Sequence, residues 1–124
     1  MVVDDNRLVR VAVRKLLEVD PGIQIVGEAA DGDEAINQAE ALAPDMIVMD
    51  IKMPKMNGIE ATQVIRSRWP DISVILITSW KSEGYKEIAT ACGASDFVPK
   101  DKLGYELVAS IYRTLLPRMK PLIM

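Results

Sequence analysis

The sequence predicts a single α/β domain, a parallel sheet with helices wound on both faces. Two observations carry this. Segments of strand length alternate with segments of helical periodicity five times, in the order βαβαβαβαβα, and strictly alternating units of this size build parallel sheets. Two of the strand segments, Met46-Ile47-Val48-Met49 and Val74-Ile75-Leu76-Ile77, are wholly apolar, as expected of strands buried on both faces. The 124 residues suffice for one core. No repeat, low-complexity segment or internal boundary interrupts them.

The first strand is short, since Met1-Val2-Val3 runs directly into Asp4-Asp5-Asn6 where ~5–6 residues are usual; it reads as clipped, or as lacking its beginning. Leu8, Val9, Val11, Ala12, Leu16 and Leu17 then recur at helical spacing, with Asn6 as N-cap and Asp20-Pro21-Gly22 as the stop. Ile23 to Ala29 is β-branched and reads as the second strand. Asp31-Gly32 is a turn, and Asp33 caps a helix whose inner side carries Ala35, Ile36, Ala39, Leu42 and Ala43. Pro44 ends that helix. The third strand finishes in Asp50, and a loop with Pro54, Asn57 and Gly58 follows.

Gly58 opens the third helix, with Ile59, Ala61, Thr62, Ile65 and Trp69 inward and Trp69-Pro70-Asp71 as its close. Ser73 to Thr78 is the fourth strand. Polar residues from Ser79 to Lys86 lead to a weaker helix through Ile88, Ala89 and Cys92, with Gly93 at C′. Asp96 to Pro99 is the fifth strand. A helix from about Gly104 to about Leu116 completes the domain, residues 1–116. Pro117 breaks it, and residues 117–124 read as a tail or the start of a linker.

Composition narrows the function. Fifteen Lys and Arg against 18 Asp and Glu give a net charge of −3, with no basic excess to hold nucleic acid. A single cysteine, Cys92, forms no internal disulfide and suits a reducing compartment. No apolar run reaches the ~20 residues of a membrane span, and no charged-then-apolar leader opens the chain, so a cytoplasmic domain is expected. The chain has no histidine, which removes the commonest general base and metal ligand.

All strands of a parallel sheet end on one edge. Asp4-Asp5 after the first strand, Asp50 at the end of the third, Thr78 at the end of the fourth and Lys100 past the fifth therefore converge there. Three adjacent carboxylates raise one another's proton affinity, and a divalent cation relieves that repulsion. Hard oxygen donors without His or Cys select Mg²⁺, or Mn²⁺, over Zn²⁺. Lys100 and the Thr78 hydroxyl suit phosphoryl oxygens, and a carboxylate can attack phosphorus to give an acyl phosphate. Taken singly, these residues read more plainly. Asp4-Asp5 would cap a helix, Asp50 would shape a turn, Thr78 would end a strand, and Lys100 would sit on the surface. Pro54 and Gly58 would shape a loop, Trp80 and Lys81 would be an exposed pair, and Cys92 a small buried hydrophobe.

Together they resemble the receiver domain of two-component response regulators. The resemblance rests on Asp4-Asp5, on Asp50 within Val48-Met49-Asp50-Ile51-Lys52-Met53-Pro54-Lys55-Met56-Asn57-Gly58, on Thr78 after Val74 to Ile77, and on Phe97-Val98-Pro99-Lys100, over essentially the whole chain. Val26-Gly27-Glu28-Ala29, Trp69-Pro70 and Pro99-Lys100-Asp101 resemble the NarL/FixJ subfamily, whose members carry a LuxR-type helix-turn-helix domain after the receiver. The resemblance implies a flavodoxin-like (βα)5 fold with strand order 2-1-3-4-5. It implies Asp50 as phosphoacceptor, Asp5 as a direct Mg²⁺ ligand, Asp4 as a ligand mainly through water, and the Lys52 backbone carbonyl as another. Thr78 and Lys100 become phosphoryl-binding and switch residues, and Phe97 the aromatic switch position.

A sensor histidine kinase would be the phosphodonor. The domain would be no enzyme in its own right, although Mg²⁺-dependent self-phosphorylation and slow self-dephosphorylation are implied. The switching surface would span the fourth helix, fifth strand and fifth helix, roughly residues 82–116. Homodimers would form through that face or through the first and fifth helices, and DNA would be met only through an output domain outside this chain. A stand-alone receiver or phosphorelay module is the alternative. A haloacid-dehalogenase-like phosphatase fits less well: it needs an Asp two residues past its nucleophile, where this chain has Lys52, and its nucleophile follows the first strand. A flavodoxin-like FMN carrier would want a hydroxyl- and glycine-rich loop where Asp4-Asp5 stands, and an unphosphorylated partner-binding receiver would not need the full acidic set.

Overall fold

The computed structural model describes residues 1–79 and 84–118. Five parallel strands form one sheet in the order 2-1-3-4-5, as expected. In chain order the elements are β1 (Val2–Val3), α1 (Arg7–Glu18), β2 (Glu28–Ala29), α2 (Gly32–Leu42), β3 (Met46–Asp50), α3 (Gly58–Arg68), β4 (Ser73–Thr78), α4 (Gly84–Ala91), β5 (Asp96–Pro99) and α5 (Leu103–Leu115). Short 3-10 turns, Lys100–Lys102 and Leu116–Arg118, flank α5. The expected roles of Trp80 and Lys81, and of the tail beyond Arg118, fall outside the described residues.

Side chains alternate across each strand, so the sheet feeds two cores. Val2, Val48, Ile75, Ile77 and Val98 pack with Val13 and Leu17 of α1 and Leu103, Leu107 and Ile111 of α5. Val3, Ile47, Met49, Val74 and Leu76 face the opposite way, with Ala35 and Ala39 of α2, Ala61 and Ile65 of α3, and Ala89 of α4. Burying each large side chain contributes about 1.5–3 kcal/mol, which fixes the register on which the sheet edge depends.

Three expectations need correction. The second strand is limited to Glu28–Ala29 instead of Ile23 to Ala29. Its neighbour β1 offers only two residues, pairing Val2 with Glu28 and Val3 with Ala29, so Ile23 and Ile25 pack on the α1–α5 core without a ladder. The inner face of α1 is rotated from the expected stripe. Val13 and Leu17 are buried, while Leu8 is 78% exposed and Ala12 is exposed. Asp31, not Asp33, caps α2, its carboxylate accepting from Glu34 N–H at 2.8 Å. An extended backbone at Asp31 (φ −153°, ψ 174°) aims its side chain at that orphan N–H.

Candidate functional site

The acidic end of β1 is held from two sides. Asp4 N–H donates to Ala29 O at 3.1 Å, the last rung between β1 and β2. Asn6 N–H donates to Asp4 Oδ1 at 2.8 Å, and Asn6 Oδ1 accepts from Leu8 N–H at 2.9 Å to cap α1. The Asp4 carboxylate is thereby buried at the sheet edge while Asp5 is exposed beside it. Asp50 closes β3 opposite Ile77 of β4 and is buried, at 4% exposure.

Tight packing sets the loop after Asp50. Ile51 N–H continues the ladder to Ile77 O at 3.0 Å, and Gly58 N–H donates to Ile51 O at 2.7 Å. A Cβ on Gly58 would lie 2.1 Å from the backbone oxygen of Asp50, so only glycine lets α3 start this close to the strand end. Lys55, at φ 66°, takes the left-handed turn between them.

The sheet edge brings the sequence-predicted residues together. Single oxygens of Asp4, Asp5 and Asp50 all lie within 4.8 Å of one another. Lys100 Nζ stands 2.8 Å from Asp4 Oδ2 and 3.4 Å from Asp50 Oδ2. The single ammonium thus bridges two buried carboxylates, closer to Asp4 than to Asp50. Thr78 ends β4 one residue past the partner of Asp50, paired with Pro99, and is buried. Lys52 lies in the loop after β3 with an exposed side chain. Phe97 is half-buried on β5, its ring stacked on Tyr85 of α4 at 6.3 Å between centroids.

Among the described residues, Lys100 is ion-paired to two of the three clustered carboxylates. Burial, and then the Asp4 carboxylate, push the Asp50 carboxyl from 3.8 up to about 6, against the opposing pull of Lys100. Burial opposes the charge on Lys100, yet its contacts with Asp4 and Asp50 outweigh it and hold its pKa above 10.5. One ammonium does not neutralise three carboxylates. The donors gathered within 4.8 Å are all carboxylate oxygens, a hard-oxygen set that fits Mg²⁺ or Mn²⁺. Asp4, Asp5 and Asp50 would hold the ion.

A stability prediction follows from Asp50. Between about pH 4 and pH 6 the folded protein binds a proton there that the unfolded chain has released. Folded-state stability therefore falls as pH rises through that window, by on the order of 3 kcal/mol, and the loss is complete above it. Metal-free Asp50→Asn lacks this component. Denaturant melts at pH 4.5 and 7.0 should show the variant gaining on the wild type as pH rises; equal pH dependence in both would remove Asp50 as the source.

Sequence reasoning missed two contributors here, Arg10 and Glu28. Arg10 Nη1 donates to the Asp4 backbone oxygen at 2.6 Å, and its Nε lies 3.4 Å from Glu28 Oε1. A charged residue on an apolar-spaced helix gives no local signal of such a contact. The spacing of Arg10 and Arg14, four residues apart on one helix face and both within reach of Glu28, was the available clue.

A family model described as the response regulator receiver domain matches residues 1–112. A protein-glutamate methylesterase/protein-glutamine glutaminase of Alkalilimnicola ehrlichii is 46% identical over 102 residues, covering 81% of this chain and 26% of that protein. The transcriptional regulatory protein DegU of Brevibacillus brevis is 33% identical over 111 residues, covering 90% of this chain and 47% of that protein. The chain thus spans between a quarter and a half of these relatives. Among solved structures, a LuxR-family two-component response regulator from Aurantimonas sp. SI85-9A1 superposes with a TM-score of 0.90 at 37% identity, covering 98% of this chain and 88% of that one.

Proposed function

The chain belongs to the response regulator receiver domain family, and from that premise we propose that Asp50 is a phosphoacceptor whose modification switches the domain. The observation that carries this reading is the sheet-edge cluster, three carboxylates within 4.8 Å and a lysine ion-paired to two of them. A phosphohistidine on a separate sensor kinase is the donor, because this chain has no histidine. An Asp50 carboxylate oxygen attacks phosphorus, the P–N bond to the donor imidazole breaks, and that nitrogen takes up a proton. A divalent cation held by the acidic cluster would supply charge compensation for the phosphoryl oxygens.

The residues of the chain do the rest. Lys100 exchanges a carboxylate partner for a phosphoryl oxygen, and Thr78 donates its hydroxyl to another. Asp5 and Asp50 would hold a divalent cation directly, Asp4 chiefly through water, with the Lys52 carbonyl as a further donor. Movement of Thr78 frees space for Phe97, which leaves its stack on Tyr85, and the equilibrium shifts between two arrangements of α4, β5 and α5. That face, or α1 with α5, forms the homodimer.

The domain works in the cytoplasm, consistent with the finding that no helix among the described residues is long and apolar enough to cross a membrane. It has no enzyme activity beyond phosphorylating itself from phosphodonors and slowly losing the group again. Coupling of the receiver to a DNA-binding output is the reading supported by the likeness to LuxR-family response regulators, one of them described as DNA-binding. A methylesterase output is the second reading, favoured by the 46% identity over 102 residues, 26% of that protein.

Incubation with radiolabelled acetyl phosphate and Mg²⁺ tests the reading. Label should be incorporated stoichiometrically and should vanish with chelator present, returning when Mg²⁺ or Mn²⁺ is added back. Label that persists in chelator would refute the part assigned to the metal, and no label under any condition would refute the phosphoacceptor.

A further inference from the structure

The two residues that sequence reasoning missed form a clamp on the acidic pair. β1 contributes only two residues to the sheet, so little ladder steadies the point where Asp4 and Asp5 leave it. The Asp4 carbonyl accepts the 2.6 Å hydrogen bond from Arg10 Nη1. This carbonyl belongs to the peptide plane joining Asp4 to Asp5. A peptide group is rigid, so holding its oxygen restrains ψ of Asp4 and φ of Asp5, the two rotations that help set how both side chains leave the backbone. Glu28, the β2 residue paired with Val2, grips the same guanidinium at 3.4 Å through Oε1. Its other oxygen is held at 2.7 Å by Arg14 Nη2. Arg10 has 19% of its side chain exposed and Glu28 34%, so the pair is partly shielded from solvent.

We infer that Arg10, held in place by Glu28, is a positioning residue for divalent-cation binding: it orients the Asp4–Asp5 peptide so that both carboxylates converge on the ion site. This rests on the metal reading proposed above. The guanidinium suits the task because its planar fork meets a carbonyl and a carboxylate at once. Coulomb's law alone gives the opposite sign: removing a positive charge near an acidic cluster should tighten cation binding. Positioning partners behind metal ligands typically account for about 10–100-fold in affinity.

The test is a Mn²⁺ titration of the whole chain, with free Mn²⁺ counted by its electron paramagnetic resonance signal and folding checked by thermal melts. Arg10→Met should weaken Mn²⁺ binding about tenfold or more. Arg10→Lys, which has one donor group and cannot span both partners, should fall between Arg10→Met and wild type. Glu28→Gln should weaken binding in the wild-type background and have no further effect in the Arg10→Met background. If Arg10→Met does not fold, Arg10→Lys and Glu28→Gln carry the comparison. Mn²⁺ affinity in folded Arg10→Met equal to or tighter than wild type would overturn the positioning role while leaving the metal site intact. A wild-type protein that binds no Mn²⁺ would overturn both.

Discussion

Asp50→Asn should take up no label from acetyl phosphate, a loss of at least about 100-fold against wild type under the same Mg²⁺ concentration. The amide is nearly the same size as the carboxylate and keeps one oxygen acceptor, so the strand end is preserved. It lacks the anionic oxygen that attacks phosphorus. It also removes the residue whose burial and neighbours work against the folded state at neutral pH, so the variant should be folded and no less stable there. Retained stability with lost label separates a chemical role from a structural one. Equal labelling of the two proteins would place the phosphoryl group elsewhere and sink the assignment of Asp50. Peptide mapping of the labelled wild type supplies the positive arm, and the label should fall on the peptide that contains Asp50.

Gly58→Ala is expected to cost about 3 kcal/mol, the upper part of the range for adding a methyl group to closed space. The new Cβ would meet a backbone oxygen, that of Asp50, at 2.1 Å, and a backbone atom cannot swing aside as a side-chain tip can. Either α3 retreats from the sheet or the end of β3 bends. The hydrogen bond from Gly58 N–H to Ile51 O at 2.7 Å resists the first. The melting temperature should drop by roughly 10 °C. Displacing the Asp50 end of β3 by a few tenths of an ångström should also slow labelling, since misplacing a reacting group by about 1 Å costs on the order of 100-fold. Thermal unfolding and the initial labelling rate check the two effects separately. A fall in stability below ~0.5 kcal/mol would show that the loop yields freely and that the close approach is not essential.

The residues of the site differ in how legible they were. Asp50 was visible because an apolar run ended in a single carboxylate. Thr78 was visible for a related reason, at the end of the second wholly apolar strand. Lys100 needed the topology, since by itself it is an ordinary lysine; the structure gives it two partners, Asp4 and Asp50, 96 and 50 residues away in the chain. Gly58 was read as a residue that merely shapes a loop. Its constraint is a contact across space with the Asp50 carbonyl, and no local pattern reports such a contact. Arg10 was hidden for the same reason, because its partners lie just past β1 and on β2.

Local periodicity determined the kind and order of the elements, and parallel topology then put every strand end on one edge. That was enough to gather the acidic pair, Asp50, Thr78 and Lys100 without knowing a single distance. Tertiary structure decided how far each strand could pair. It cut the expected second strand to Glu28–Ala29 because β1 has only two residues to offer. It turned α1 so that Val13 faces the core and Leu8 faces water, and it decided which oxygens meet Lys100 and Arg10. The physical reason is that alternation and helical spacing are properties of neighbouring residues. Register, close approach and ion pairing depend on elements packed from distant parts of the chain.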